Sequence, residues 1–182
     1  ATAATAAPVL DQANLGPREA GYLVGGGSPG FALAQSFIPS LSGLLTSFQI
    51  DVGNHPSDAG IMNIYLRDTL TGPNLASFTF DNTSPFQGFI SFDTSGLSIH
   101  TTANDEMFIV AEPGPNSFGT WWGNTNGYAG GASYFSIDGG ASFNPNGDAD
   151  QLFATFVDAA IQAVPEPVTL SVCVPPVPVV VL

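Results

Sequence analysis

The chain is expected to be all-β: an antiparallel two-sheet sandwich, jelly-roll-like, with extended N- and C-terminal segments. Three observations carry this expectation. Short runs of alternating apolar and polar residues recur every 8–12 residues or so, punctuated by Gly, Pro, Asn and Asp. No stretch sustains a helical period with caps at its ends. The 182 residues include 14 Phe but only 2 Met and 1 Cys. Such a composition builds a core from rigid aromatic plates with no internal disulfide.

Residues 1–8 are small and featureless and read as an N-terminal arm; Ala1 to Ala7 has the small-residue character found around export cleavage sites. Residues 9–14 form a first short strand, and Gly25-Gly26-Gly27-Ser28-Pro29-Gly30 is a loop by composition. From Phe31 a strand places Phe31, Leu33, Gln35 and Phe37 on one side and Ala32, Ala34 and Ser36 on the other, until Pro39 ends it. Residues 46–52 put Phe48, Ile50 and Val52 on one face. After a turn over 53–60, Met62, Ile64 and Leu66 share a face opposite Asn63, Tyr65 and Arg67.

Residues 75–81 align Ala76, Phe78 and Phe80, and residues 87–93 align Ile90 and Phe92. Residues 107–111 are a run of the buried type. Trp121-Trp122 and Tyr134-Phe135 sit in Gly-rich surroundings, and 151–158 closes the domain with Leu152, Ala154 and Phe156 in line. The division is therefore 1–8 arm, 9–160 sandwich, and 161–182 a linker and apolar Pro/Val tail.

Charge narrows the functions. Fifteen acidic residues stand against two basic ones, Arg18 and Arg67, for a net charge of −13. Nucleic-acid binding rests on Lys and Arg neutralising phosphates, and attraction to anionic membranes needs the same cations. Neither partner is expected. Carboxylates in excess instead suit a solvent- or matrix-facing protein that recruits divalent cations.

Two clusters could carry binding chemistry. Asn144-Pro145-Asn146-Gly147-Asp148-Ala149-Asp150 is the densest set of hard oxygen donors, so Asn144, Asn146, Asp148 and Asp150 are candidate ligands of a structural Ca²⁺. Asp138 and Asp51 are candidate additions. The spacing is not that of an EF-hand, and the same residues also make an ordinary solvated turn. Trp121, Trp122, Tyr128 and Tyr134, with Asn124 and Asn126 beside them, could stack on sugar rings while the amides bond hydroxyls. Adjacent residues in a strand point to opposite faces, so one tryptophan belongs to the core and the other to the surface.

No catalytic constellation is expected. His55 and His100 stand alone, and strand parity separates Asp105 from Glu106. No nucleophile elbow, phosphate loop or zinc spacing is present. Cys173, with no His near it in sequence, reads as an apolar residue. No cofactor is required.

The C-terminal stretch carries an address. Val164-Pro165-Glu166-Pro167 is followed by Val168-Thr169-Leu170-Ser171 and an uncharged run to Leu182. That run falls short of the roughly 20 residues a membrane helix needs, and Pro175, Pro176 and Pro178 break it. Its valines favour extended backbone. Pro165, Glu166 and Pro167 resemble the start of a PEP-CTERM sorting signal, although the terminal basic cluster of that family is absent. The preceding stretch, through Ala34-Gln35-Ser36-Phe37-Ile38-Pro39, Leu45 to Ile50 and Tyr128-Ala129-Gly130-Gly131, resembles the jelly-roll domains that often precede such signals.

The resemblance implies an exported, cell-surface or extracellular protein. Its expected function is a non-enzymatic structural one, in a surface layer or biofilm matrix, with homo-oligomers or filaments formed through the extended ends. The alternative is a carbohydrate-binding module that uses the Trp/Tyr cluster.

Overall fold

The computed structural model describes residues 7–53, 60–81, 84–115, 117–125 and 127–159. Pro165, Glu166, Pro167, Cys173, His55 and Asn126 lie outside the described residues, as do most of the N-terminal arm and all of the tail.

Among the described residues the chain forms strands and no helix. They are β1 (Val9–Asn14), β2 (Ala20–Gly25), β3 (Ala32–Phe37), β4 (Gly43–Gly53), β5 (Ile61–Arg67), β6 (Ala76–Asp81), β7 (Gln87–Asp93), β8 (His100–Thr101), β9 (Met107–Pro113), β10 (Phe118–Thr125), β11 (Ser133–Ser136), β12 (Asn144–Pro145), β13 (Ala149–Gln151) and β14 (Phe153–Ala159). All pairings are antiparallel.

Eight strands make one sheet along the path β1-β14-β4-β10-β13, with β2 on β10 and β7 and β8 on β4. Six make the other, in the order β12-β11-β3-β9-β5-β6. The two sheets pack face to face as the expected β-sandwich.

The core is what the alternating pattern anticipates over much of the chain. Phe48, Ile50 and Val52 of β4 meet Met62, Ile64 and Leu66 of β5, all fully buried. Burying a side chain of this size is worth about 1.5–3 kcal/mol, so these two strands alone account for much of the drive to pair the sheets. Phe48, Phe78 and Phe92 close the side of the sandwich where β6 and β7 run, with ring centroids 5.0–5.7 Å apart.

Four expectations are corrected. Residues 20–25 form β2, a strand not expected from sequence because Ala20-Gly21-Tyr22-Leu23-Val24-Gly25 lacks alternation; its pairing to β10 makes it one. In β3 both faces are buried. Ala34 packs with Phe108 and Val110 in a second small cluster on the outer side of the six-stranded sheet, and Phe31, expected inside, is exposed.

The closing segment is two strands broken at Leu152. Phe153 and Val157 join the main core, and with Thr155 they stand in register with Ile50, Phe48 and Leu45; Leu152 and Ala154 of the aligned trio are buried outside that cluster. The pairing skips Thr46 between Ser47 and Leu45, a bulge in β4 that turns Leu45 inward beside Val157. Asp105 and Glu106 precede β9 in a loop, so strand parity does not separate them.

A second bulge, between Leu10 and Gln12, frees Asp11 from the β1–β14 ladder. Its carboxylate Oδ1 accepts hydrogen bonds from the Ser40 and Leu41 amides and the Ser40 hydroxyl, pinning the loop after β3.

Candidate functional site

The two tryptophans have separate fates. Trp121 pairs with Val52 across β10 and β4, is fully buried in the core, and donates its indole N–H to the Leu152 carbonyl at 2.9 Å. Trp122 therefore points to the outer face of the larger sheet, where it is half-buried. Its ring lies over Gly21 and Gly53: a Cβ added at Gly53 would stand 2.7 Å from the Trp122 Nε1. That nitrogen is enclosed and has no hydrogen-bond partner, so it presents no donor to a ligand.

The two tyrosines lie elsewhere. Tyr128 packs edge-on against Phe153 with centroids 5.0 Å apart, and its hydroxyl donates to Gln12 Oε1 at 2.8 Å. Burial pushes this phenol up to about 12. Tyr134 sits on Phe108 in the outer cluster of the smaller sheet, 6.2 Å between centroids. The Trp/Tyr set is not a single aromatic platform: one member is core, one braces the rim, and two occupy the outer faces of different sheets.

The oxygen-rich segment is organised around Asp150, which is 6% exposed. Its Oδ1 accepts from Gln35 Nε2 at 3.3 Å and its Oδ2 from the Tyr128 amide at 3.0 Å. Gln35 in turn accepts from the Gln151 amide, and Gln151 donates to the Ser133 hydroxyl, which also receives Asn146 Nδ2. This chain of bonds ties β3 and β11 of one sheet to β13 of the other. Every residue of this network makes at least one hydrogen bond within it, although Gln151 Oε1 is buried with no partner.

Asp148 and Asp150 line one open groove of about 240 Å³ with Tyr128, Gly131 and Gly147, while Asn144 pairs in β12 and Asn146 is turned to Ser133. The four candidate calcium ligands thus do not line one groove together. Among the described residues no three His, Cys, Asp or Glu side chains gather to hold a metal ion.

The two added candidates are also engaged. Asp51 is 1% exposed and receives the Arg18 guanidinium on both oxygens, at 2.6 and 2.7 Å. Asp138 accepts from the hydroxyls of Ser136 and Ser142 and from the Ser142 amide, which hold its carboxyl at about 2.

A second groove, about 420 Å³, lies at one end of the sandwich. It has Leu97, Ile99 and Met107 as apolar lining and Asp68, Asp105, Glu106 and His100 as polar lining. Strand parity was expected to part Asp105 from Glu106; folding instead brings both to one mouth with Asp68.

Both cations of the chain serve the fold. Arg67, 7% exposed, donates to Glu112, Asn74 and the Leu70 carbonyl and lies 5.0 Å above the Tyr65 ring. With Arg18 held by Asp51, the exposed carboxylates have no Lys or Arg left to pair with. Of the network, Asp150 and Asn146 stand out in the sequence only as oxygen donors, and Gln35 as a polar residue on the face shared by Leu33 and Phe37. No protein-family model matches this chain, and no curated protein matches it in sequence.

Proposed function

We propose that this chain is a non-enzymatic structural domain of an exported surface layer or extracellular matrix, which assembles with copies of itself through its extended ends. One observation carries the choice over the carbohydrate-binding alternative. The aromatic and carboxylate groups best suited to hold a ligand are spent on the fold: Trp121 on Leu152, Tyr128 on Gln12 and Phe153, Asp150 on Gln35 and the Tyr128 amide.

The remaining support comes from sequence. The Pro165-Glu166-Pro167 motif resembles an export address, and the uncharged Val/Pro run after it suits an extended segment that adds to a sheet edge or fills an apolar groove. Head-to-tail exchange of such segments does not close on itself and generates filaments. The uncompensated negative surface is compatible with a hydrated matrix and disfavours nucleic acid or anionic lipid as partners.

The test is electron microscopy and light scattering of the full chain beside versions lacking residues 1–8, 161–182 or both. Filaments or large particles that shrink on truncation are expected. A full-length protein that stays monomeric at high concentration, as its truncated forms do, overturns the reading. Glycan-array binding that disappears in Trp122→Ala would replace it with the sugar-binding alternative.

A further inference from the structure

We infer that the edge presented by residues 76–80 of β6 is a self-association surface, where β6 of a second copy pairs antiparallel about a two-fold axis at Thr79. This contact needs neither chain end, so it stands apart from the proposed assembly through the termini.

The first ground is the state of the edge. β6 borders the six-stranded sheet and, among the described residues, pairs with β5 alone, in unbroken register from Leu66↔Ala76 to Ile61↔Asp81. An unpaired, regular edge strand is a template for another strand, and proteins usually blunt it with Lys, Pro, a bulge or shortness. The opposite edge of the same sheet shows such devices, since β12 has two residues and includes Pro145, and β1 of the larger sheet is bulged at Asp11. Residues 76–80 of β6 have none of them.

The second ground is charge. In a chain of net −13, two copies approach only where carboxylates do not face each other. Residues 76–80 are uncharged. The open groove beside them, about 620 Å³, has no charged lining residue either; Asn63, Tyr65, Ser77, Phe78, Thr79 and Phe92 are among its walls.

The third ground is self-complementarity. A two-fold axis perpendicular to the sheet keeps inner residues inner, so it must pass through a residue and not between two. Phe78-Thr79-Phe80 reads the same in both directions. Centred on Thr79, the pairing sets Thr79 opposite its own mate, each Phe78 opposite the other copy's Phe80, and Ser77 opposite Asp81. Phe78 and Phe80 are inward and only half-buried, so the partner's rings complete their cover. Aromatic cross-strand pairs are a recognised source of sheet stability, and the carboxylate of Asp81 meets an uncharged residue.

The experiment uses the full chain with Cys173→Ser, which removes its natural thiol. In the proposed register two Cys placed at position 79 have Cα atoms about 4.5–5.5 Å apart, within disulfide reach. At position 77 the two are four residues out of register, about 13 Å. Mild oxidation should give a covalent dimer with Thr79→Cys and little with Ser77→Cys, although both residues are exposed on one strand.

Sedimentation should show a reversible wild-type dimer, weakened at least about tenfold by Thr79→Asp, which puts like charges directly opposite. Deleting residues 160–182 should leave that dimer intact even if the assembly through the ends fails. The inference is overturned by equal cross-linking at 77 and 79, by wild-type protein monomeric at millimolar concentration, by an unchanged Thr79→Asp dimer, or by loss of the dimer on deleting 160–182.

Discussion

Asn14 and Asn124 are 110 positions apart and exchange both hydrogen bonds of their side-chain amides. Asn14 Nδ2 donates to Asn124 Oδ1 at 2.9 Å, and Asn124 Nδ2 returns a bond to Asn14 Oδ1 at 3.0 Å. Both are 3% exposed. Asn14 also donates to the Gln151 carbonyl at 3.1 Å. The pair clamps β1 to β10, two strands that are not neighbours in the sheet. Truncating either asparagine leaves buried amide groups unpaired, so Asn14→Ala and Asn124→Ala should each destabilise by about 1–3 kcal/mol. Urea unfolding should show the double variant costing less than the two singles added, because they share one interaction.

Trp121 and Trp122 should behave as opposites. Trp121→Ala removes a fully buried indole and is expected to cost about 3–5 kcal/mol. Trp122→Ala should cost less, since half of its environment is solvent and its N–H makes no bond to lose. In Trp122→Phe the remaining fluorescence should be blue-shifted and resistant to acrylamide; in a folded Trp121→Phe it should be red-shifted and readily quenched.

Asp150 separates a metal role from a structural one. Asp150→Ala leaves Gln35 Nε2 and the Tyr128 amide without their acceptor, a loss of about 1–3 kcal/mol. The loss should be the same in chelator as in millimolar Ca²⁺, and Asp148→Ala should be near neutral in both. A melting temperature that rises with Ca²⁺ in wild type but not in Asp150→Ala would restore the calcium reading.

Tyr128 sets an alkaline boundary. Burial favours its neutral phenol, raising its pKa from the ordinary 10 to about 12. The raised value means that the stabilisation is complete below about pH 10 and is lost as pH climbs through 12. Ultraviolet difference titration should find one phenol ionising near 12, and Tyr128→Phe should abolish that last phase.

Local pattern was enough for much of the fold. Alternation in residues 46–52 and 62–67 marked β4 and β5 and named the residues that meet in the core, because a two-residue period reports directly which side chains share a face. The same rule said that one tryptophan of Trp121-Trp122 is buried. It could not say which, since parity has no sign until a partner strand supplies one; the pairing of Trp121 with Val52 did so. The closing segment shows the same limit. Leu152, Ala154 and Phe156 align by period, but the register sets Phe153, Thr155 and Val157 opposite the inward Ile50, Phe48 and Leu45 of β4.

The sequence by itself determined the class of fold, the uncompensated acidity and the absence of internal disulfides, all of them properties of composition and short-range period. Tertiary structure decided what each polar group is for. Asp51 beside Arg18, Gln35 beneath Asp150 and Asn14 against Asn124 join residues from 33 to 115 positions apart. Such contacts depend on the order of strands in two sheets, which no local pattern encodes. Candidate ligands in the sequence became members of the fold's own buried networks because a polar group removed from water must find its partner inside.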